Sequence, residues 1–195
     1  MIRRLRTLVR DTRAVTMVEF AFVLPVMVLL IMGLGEILYQ EYAQSILNGA
    51  LQKAGRDSTI QGAGDDTATI DNKVMAMVKT VVRNATGSST RTSYDNFTQV
   101  APEPFTDSNG NGVRDAGECF TDQNANSTWD ADPGTSGQGG ASDVTLYSMT
   151  ITYPRLFPMA GLAGWSTDAT LSASTLLKNQ PYASQTTTTA VTLCT

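Results

Sequence analysis

From Phe20 to Gly35 the chain carries no charge, and a weakly polar run extends the stretch back to Ala14. About 20 residues suffice for a helix to cross the hydrocarbon core of a bilayer, so this stretch is expected to span a membrane over about residues 15–35. Five arginines (Arg3, Arg4, Arg6, Arg10, Arg13) against one acid, Asp11, precede it. That asymmetry predicts a cytoplasmic N-terminus, with everything after the stretch outside or on the membrane. One acid, Glu19, lies inside the stretch, where an ionised carboxylate costs on the order of 3 kcal/mol and usually marks a function or a buried partner. No lysine or arginine stands on the apolar side to neutralise it. A cut between Ala14 and Val15 would remove the arginines and create an α-amino group shortly before Glu19, in the same chain or a neighbouring copy. A plain signal anchor has no reason to possess that junction. A cleaved secretory signal would have a shorter apolar core, followed by a small-residue cleavage site.

A basic leader, a small residue at Ala14, Glu19 as the fifth and Phe20 as the sixth residue after the cut, and then an apolar helix resemble a type IV prepilin signal. More narrowly, VEFAFVLPVMVLLIMGLGEILYQEYAQSILNGALQKAGR resembles the TadE-like family of pseudopilins, minor components of the Tad (type IVc, Flp) pilus. The departure is Ala14, where prepilins generally have glycine. The resemblance implies processing by a prepilin peptidase, and as partners other pilin or pseudopilin subunits, the inner-membrane assembly platform and membrane lipid. It also implies a final location on the pilus or cell surface. YPRLFPMAGLAGW followed by ATLSASTLLKNQPY resembles the C-terminal part of the same family, with Gln180 where an acid is frequent.

The 195 residues allow one modest soluble domain beside the helix. Net charge is −4, but the segment up to Arg13 contributes +4, so the remainder carries −8 and is a poor nucleic-acid binder. The chain has no histidine, which removes the commonest general base and the Ser-His and Cys-His pairs. Scattered carboxylates leave no enzyme reading. Cys119 and Cys194 both fall on the translocated side, where oxidising conditions favour their single possible intrachain disulfide.

The expected fold class is α+β: a basic leader over residues 1–14, a long transmembrane and filament helix over 15–56, and a small pseudopilin-like domain over 57–195 with a second helix and a short antiparallel sheet. Leu38, Tyr42, Ile46, Leu47, Ala50, Leu51 and Ala54 recur at helical spacing and form the expected buried stripe. Pro25 should kink or loosen the helix. Asp65 or Asp66 is a fair N-cap for a second helix, whose apolar residues Ile70, Val74, Met77, Val78, Val81 and Val82 carry it to about residue 84. Residues 85–92 read as a loop, 93–100 as a short strand, 142–154 as a strand and 170–178 as another. In the third of these segments Val144, Leu146, Met149 and Ile151 are core candidates, with a change of phase at Tyr147 and Ser148. Residues 183–195 read as a tail or an edge strand tethered by Cys194.

Residues 101–141 form an inserted, Asp/Asn/Gly/Ser-rich loop region, and within it DSNGNGVRDAGE (107–118) fits the calcium-loop pattern D-x-[DN]-x-[DN]-G-x5-E. Asp107, Asn109, Asn111, Asp115 and Glu118 would supply side-chain oxygens and Val113 its carbonyl, a hard-oxygen set suited to Ca²⁺. FTDSNGNGVRDAGEC is echoed immediately afterwards by FTDQNANSTWDADPG, with Phe105 over Phe120 and Asp107 over Asp122. The second copy keeps Asp122, Asn124, Asn126, the Thr128 carbonyl and Asp130, but Ser127 replaces the turn glycine and Pro133 the closing acid, for which Asp132 is the expected substitute. Without long flanking helices the pair resembles dockerin or thrombospondin type 3 calcium repeats rather than an EF-hand. A structural pilus subunit involved in assembly or adhesion is therefore the leading expectation, and an unprocessed, membrane-anchored, calcium-dependent envelope binding protein or adhesin the alternative.

Overall fold

The computed structural model describes residues 13–59, 66–157, 161, 164–181, 183–185 and 187–194. The expected leader up to residue 12, Asp65 and Tyr182 lie outside the described residues. The chain divides into two compact units, Met1–Tyr42 with Pro154–Ala169, and Ala43–Tyr153 with Thr170–Thr195. Elements run α1 (Arg13–Ser58), α2 (Thr67–Val78), β1 (Thr86–Tyr94), β2 (Cys119–Asp122), β3 (Thr135–Ser136), β4 (Val144–Pro154), β5 (Asp168–Lys178) and β6 (Val191–Cys194). The fold is α+β, with sheet orders β3-β1-β4-β5 and β2-β6.

In the first unit, α1 is exposed on all sides from Thr16 through Ile31, uncharged there except at Glu19, and the helix runs on through Pro25. It is one helix long and apolar enough to cross a membrane. Glu36 ends the uncharged run and is buried. Its Oε2 accepts the backbone N–H groups of Leu156 (3.1 Å) and Phe157 (3.2 Å), and Arg155 Nη1 lies 3.5 Å from Oε1, a charge contact without hydrogen-bond geometry. Arg155 closes the base of the loop it starts, through its N–H to Thr167 O (2.9 Å) and its Nε–H to Ser166 O (3.0 Å).

In the second unit the last turns of α1 bury Ala43, Leu47, Ala50, Leu51 and Ala54 at steps of three and four positions, one face of a helix. Leu38 and Tyr42, which the pattern placed on that stripe, are exposed, and Ile46 is half-buried. Small residues alternate with leucine on this face, so the helix can approach β5 closely enough for Gln44 Nε2 to bond Ser172 O at 3.0 Å.

The second helix stops at Val78, a turn and a half earlier than the apolar spacing suggests. Asp66 is its N-cap but makes no side-chain capping bond. At the other end Thr80 donates its hydroxyl to Met77 O (2.7 Å), and the tight turns Thr80 N–H to Met77 O and Val81 N–H to Val78 O replace the helical ladder. Val82 and Ala85 remain buried from those turns, which is why the hydrophobic period outruns the helix.

Residues 86–92, expected as a loop, form a strand together with 93–94, and 95–100, the rest of the expected strand, form a bend and a 3₁₀ turn capped by Asn96. TGSSTRTSY has no apolar alternation; its conformation comes from an antiparallel register on β4 that runs its whole length, from Thr86 opposite Thr152 to Tyr94 opposite Val144. Its smallness is required by α2 above it, because a Cβ on Gly87 would sit 2.5 Å from the Met75 sulfur.

The β4 strand buries Val144, as expected, and Thr145 in succession and then Tyr147, Met149, Ile151 and Tyr153, so the phase changes at Val144 and Thr145 rather than at Tyr147 and Ser148, and Leu146 is only half-buried. Tyr147 reaches Asp71 on α2 through its hydroxyl (2.5 Å), where Ser89 (2.5 Å) and Arg91 (2.6 Å) from β1 also arrive. Burial alone would raise the Asp71 pKa. The bonds from Arg91, Ser89 and Tyr147 outweigh it, and the carboxyl stays below its ordinary value. Burial and the Asp71 charge push the Tyr147 phenol up.

Candidate functional site

The acidic insert is built around a short antiparallel contact. Phe105 faces Phe120 across a single bridge, with Thr106 N–H on Cys119 O and Thr121 N–H on Pro104 O, both 2.8 Å. The other edge of β2 carries β6, with Cys119 opposite Cys194 and the expected disulfide between them. The threonine-rich C-terminal stretch thus supplies an edge strand, and the insert, expected to bury almost nothing, buries Phe120 almost fully. Strands, not helices, flank the two loops.

In the first loop the Asp107 carboxylate accepts from the backbone of Gly110 (2.7 Å), Asn111 (3.2 Å) and Gly112 (2.8 Å). These bonds, Gly112's foremost, hold the Asp107 pKa below its ordinary 3.8. Asn109 Oδ1 accepts from Asn111 N–H and Asn111 Oδ1 from Val113 N–H. Both amide nitrogens, of Asn109 and Asn111, lie 2.8 Å from Asp115 Oδ2. Glu118, buried, spans the mouth: Oε1 accepts Ser108 N–H (2.8 Å) and Oε2 accepts Asp115 N–H (3.0 Å).

The second loop repeats this scheme in the register that sets Asp107 on Asp122. Asp122 accepts from Asn126 and Ser127, Asn124 Oδ1 from Asn126, and Asn126 Oδ1 from Thr128. Asn124 and Asn126 place their amide nitrogens 2.8 Å and 2.6 Å from Asp130 Oδ2. The missing closing acid is present, but it comes from before the first loop. Glu103, 1% exposed, accepts Gln123 N–H at Oε1 (2.6 Å) and Asp130 N–H at Oε2 (3.0 Å).

Glu103 holds the same place in the repeat as Glu118, directly ahead of the paired strand segments, so each loop is closed by the glutamate that precedes the other loop's strand. The equivalence extends outward. Trp129 bonds Glu103 O and meets the Phe105 ring edge-on at 6.0 Å, while Arg114 bonds Glu118 O and lies 5.1 Å from the Phe120 ring centre. Asp132, the expected substitute, instead accepts from the Tyr94 hydroxyl (2.9 Å) and Gly134 N–H (3.1 Å), and burial with that bond raises the Tyr94 pKa to about 12. The repeat, read one unit further back, contained the signal for Glu103.

The residues expected to mark a processing site lie elsewhere. Ala14 and Val15 lie in the first turn of α1, and Glu19 and Phe20 follow it on exposed helix. Among the described residues Glu19 has no ion-pair partner. Compared with known proteins, residues 14–56 match the family model described as TadE-like protein, so this part of the chain is similar to a pilus-related family. No curated protein and no solved structure matches.

Proposed function

We propose that this chain is a minor pilin or pseudopilin, a structural subunit of a Tad-type pilus that performs no chemistry itself. The observation that carries this reading is the TadE-like match, which begins at Ala14, the residue before the expected cut, and runs down the long apolar helix. In this reading the precursor waits in the inner membrane with its arginines in the cytoplasm and its folded domain in the periplasm. Prepilin peptidase then cuts between Ala14 and Val15, and the new α-amino group pairs with Glu19 as the helix joins other pilin subunits at the assembly platform. N-terminal sequencing of protein from assembled pili should begin at Val15. An intact leader on surface-exposed protein would overturn the reading. Glu19→Ala should leave membrane insertion unchanged and block incorporation into the pilus; normal assembly with this variant as the sole source of the subunit would remove the role given to Glu19.

The outer domain, in the same reading, is held together by Ca²⁺. The donor chemistry fits: every side chain that converges in the loops offers hard oxygen, and a carboxylate oxygen that accepts one N–H keeps a second lone pair. Asp107, Asn109, Asn111, Asp115 and Glu118, with the Val113 carbonyl, would hold one ion. Asp122, Asn124, Asn126, Asp130 and Glu103, with the Thr128 carbonyl, would hold the other. The ions would supply positive charge to residues 101–135, where seven acids face one base, and so support a display or adhesion surface that a pilus subunit can carry. Melting of the full chain in detergent with calcium and with chelator tests this; coincident curves would reduce both loops to acidic turns.

A further inference from the structure

The loop from Arg155 to Thr167 carries no charge between its two ends, yet leaves large apolar side chains uncovered: Leu156 is 55% and Trp165 69% exposed. The depth of its first residues along α1 is defined by contact, and Ser166 and Thr167 at its other end are bonded to Arg155. The backbone N–H groups of Leu156 and Phe157 lie within 3.2 Å of the Glu36 carboxylate, and the Phe157 ring would stand 3.1 Å from a Cβ on Gly35. Glu36 is the first charged residue after Glu19, so it marks where the apolar span meets water. Its own charge is answered by Arg155 and the two N–H groups, which lowers the cost of holding it at a boundary of falling dielectric. Tryptophan, with an apolar body and one N–H donor, favours that layer over both water and hydrocarbon.

From this continuity with the span we propose that the two ends of this loop form a second membrane contact, seating Leu156 and Trp165 in the interfacial layer of the bilayer that α1 crosses, on the side of Glu36. The proposal rests on α1 spanning that bilayer. It gives the subunit two points of attachment at one depth before assembly, so that leaving the membrane means withdrawing the loop as well as the helix.

The test uses the full chain in phosphatidylcholine vesicles. The chain holds two tryptophans, and Trp129→Phe leaves Trp165 as the only one, read with excitation that spares tyrosine. Lipids brominated near the headgroup and lipids brominated deep in the tails are compared as quenchers, with iodide as the aqueous quencher. Expected are a blue-shifted Trp165 emission, the largest loss with the shallow bromines, protection from iodide, and no change as the protein is diluted in lipid. Iodide quenching without bromine quenching overturns the proposal. Protection that disappears on dilution also overturns it, since the cover would then be another copy of the chain. If Trp129→Phe fails to fold, the difference between wild type and Trp165→Phe reads the same signal. Flotation separates the two layers of the argument: a chain that floats with Trp165 in water overturns the loop alone, and one that does not float overturns the span and the loop together.

Discussion

The two loops of the insert share a hydrogen-bond scheme and differ in how they obtain it. The first meets its backbone demands with glycine, at Gly110 (φ 73°) and Gly112 (φ 76°), whereas the second adopts the same left-handed turns with Ala125 (φ 59°) and Ser127 (φ 64°). A Cβ in that region costs on the order of 1 kcal/mol per residue. The first loop closes with an acid from its own end, the second with one that precedes even the first loop. The second loop is therefore not a decayed copy that merely persists. It is held in a strained conformation by Glu103 and by the β2 strand it shares with the first, so the pair is one module and neither loop is complete without the other's flank.

The largest effect expected is on the clamp that holds the shared strand. Replacing Cys119 and Cys194 together by serine releases a cross-link between strands far apart in the chain and should cost about 4 kcal/mol in urea unfolding, loosening both loops. A loss confined to the C-terminal strand would show that the module does not need the clamp.

Glu103→Ala and Glu118→Ala should each cost about 2 kcal/mol, because each orphans two part-buried backbone N–H groups. Near-equal losses support the equivalence of the two glutamates, and a far smaller loss for Glu103→Ala breaks it. Under the calcium reading, each site filled at about 100 times its Kd should add about 2.7 kcal/mol. Glu118→Gln and Glu103→Gln should each remove about half of the stabilisation that chelator abolishes, and magnesium should replace calcium poorly. A full calcium response in Glu103→Gln would leave the second loop without an ion.

Backbone strain gives a smaller and oppositely signed pair. Gly112→Ala should destabilise by about 1 kcal/mol and Ser127→Gly should stabilise by a similar amount, measured by melting in chelator. Equal signs would mean that the loops do not share a backbone conformation. The smallest expected difference is in pH. Since the Asp107 pKa is lowered by folding, its contribution is present above the ordinary carboxylate value of 3.8 and is lost as pH falls through the lower folded value. Acid unfolding of Asp107→Asn in chelator should therefore diverge from wild type above that window and converge below it.

What could be read in advance depended on how local the cause was. The apolar span, the long helix and β4 carry their periods in contiguous residues, and the calcium-loop pattern and its tandem echo are matters of spacing alone. With only two cysteines, the disulfide had one possible pairing. The β1 strand could not be read this way, because Gly87, Ser88 and Ser89 have no strand preference and take their conformation from the β4 ladder. The spacing hides the end of α2 for a related reason: burial of Val82 and Ala85 continues the helical period after Thr80 has ended the helix.

The sequence by itself determined that this chain has a membrane-length helix, an acidic insert with two loop copies, and one available cross-link, since each follows from composition or spacing along the chain. Only the tertiary structure decided which acid closes the second loop. Asp132 is nearer in sequence, but it turns to Tyr94, and the antiparallel contact of Phe105 with Phe120 swings Glu103 onto the N–H groups of Gln123 and Asp130. Spacing along a chain cannot identify a closing acid that strand pairing delivers from the far side.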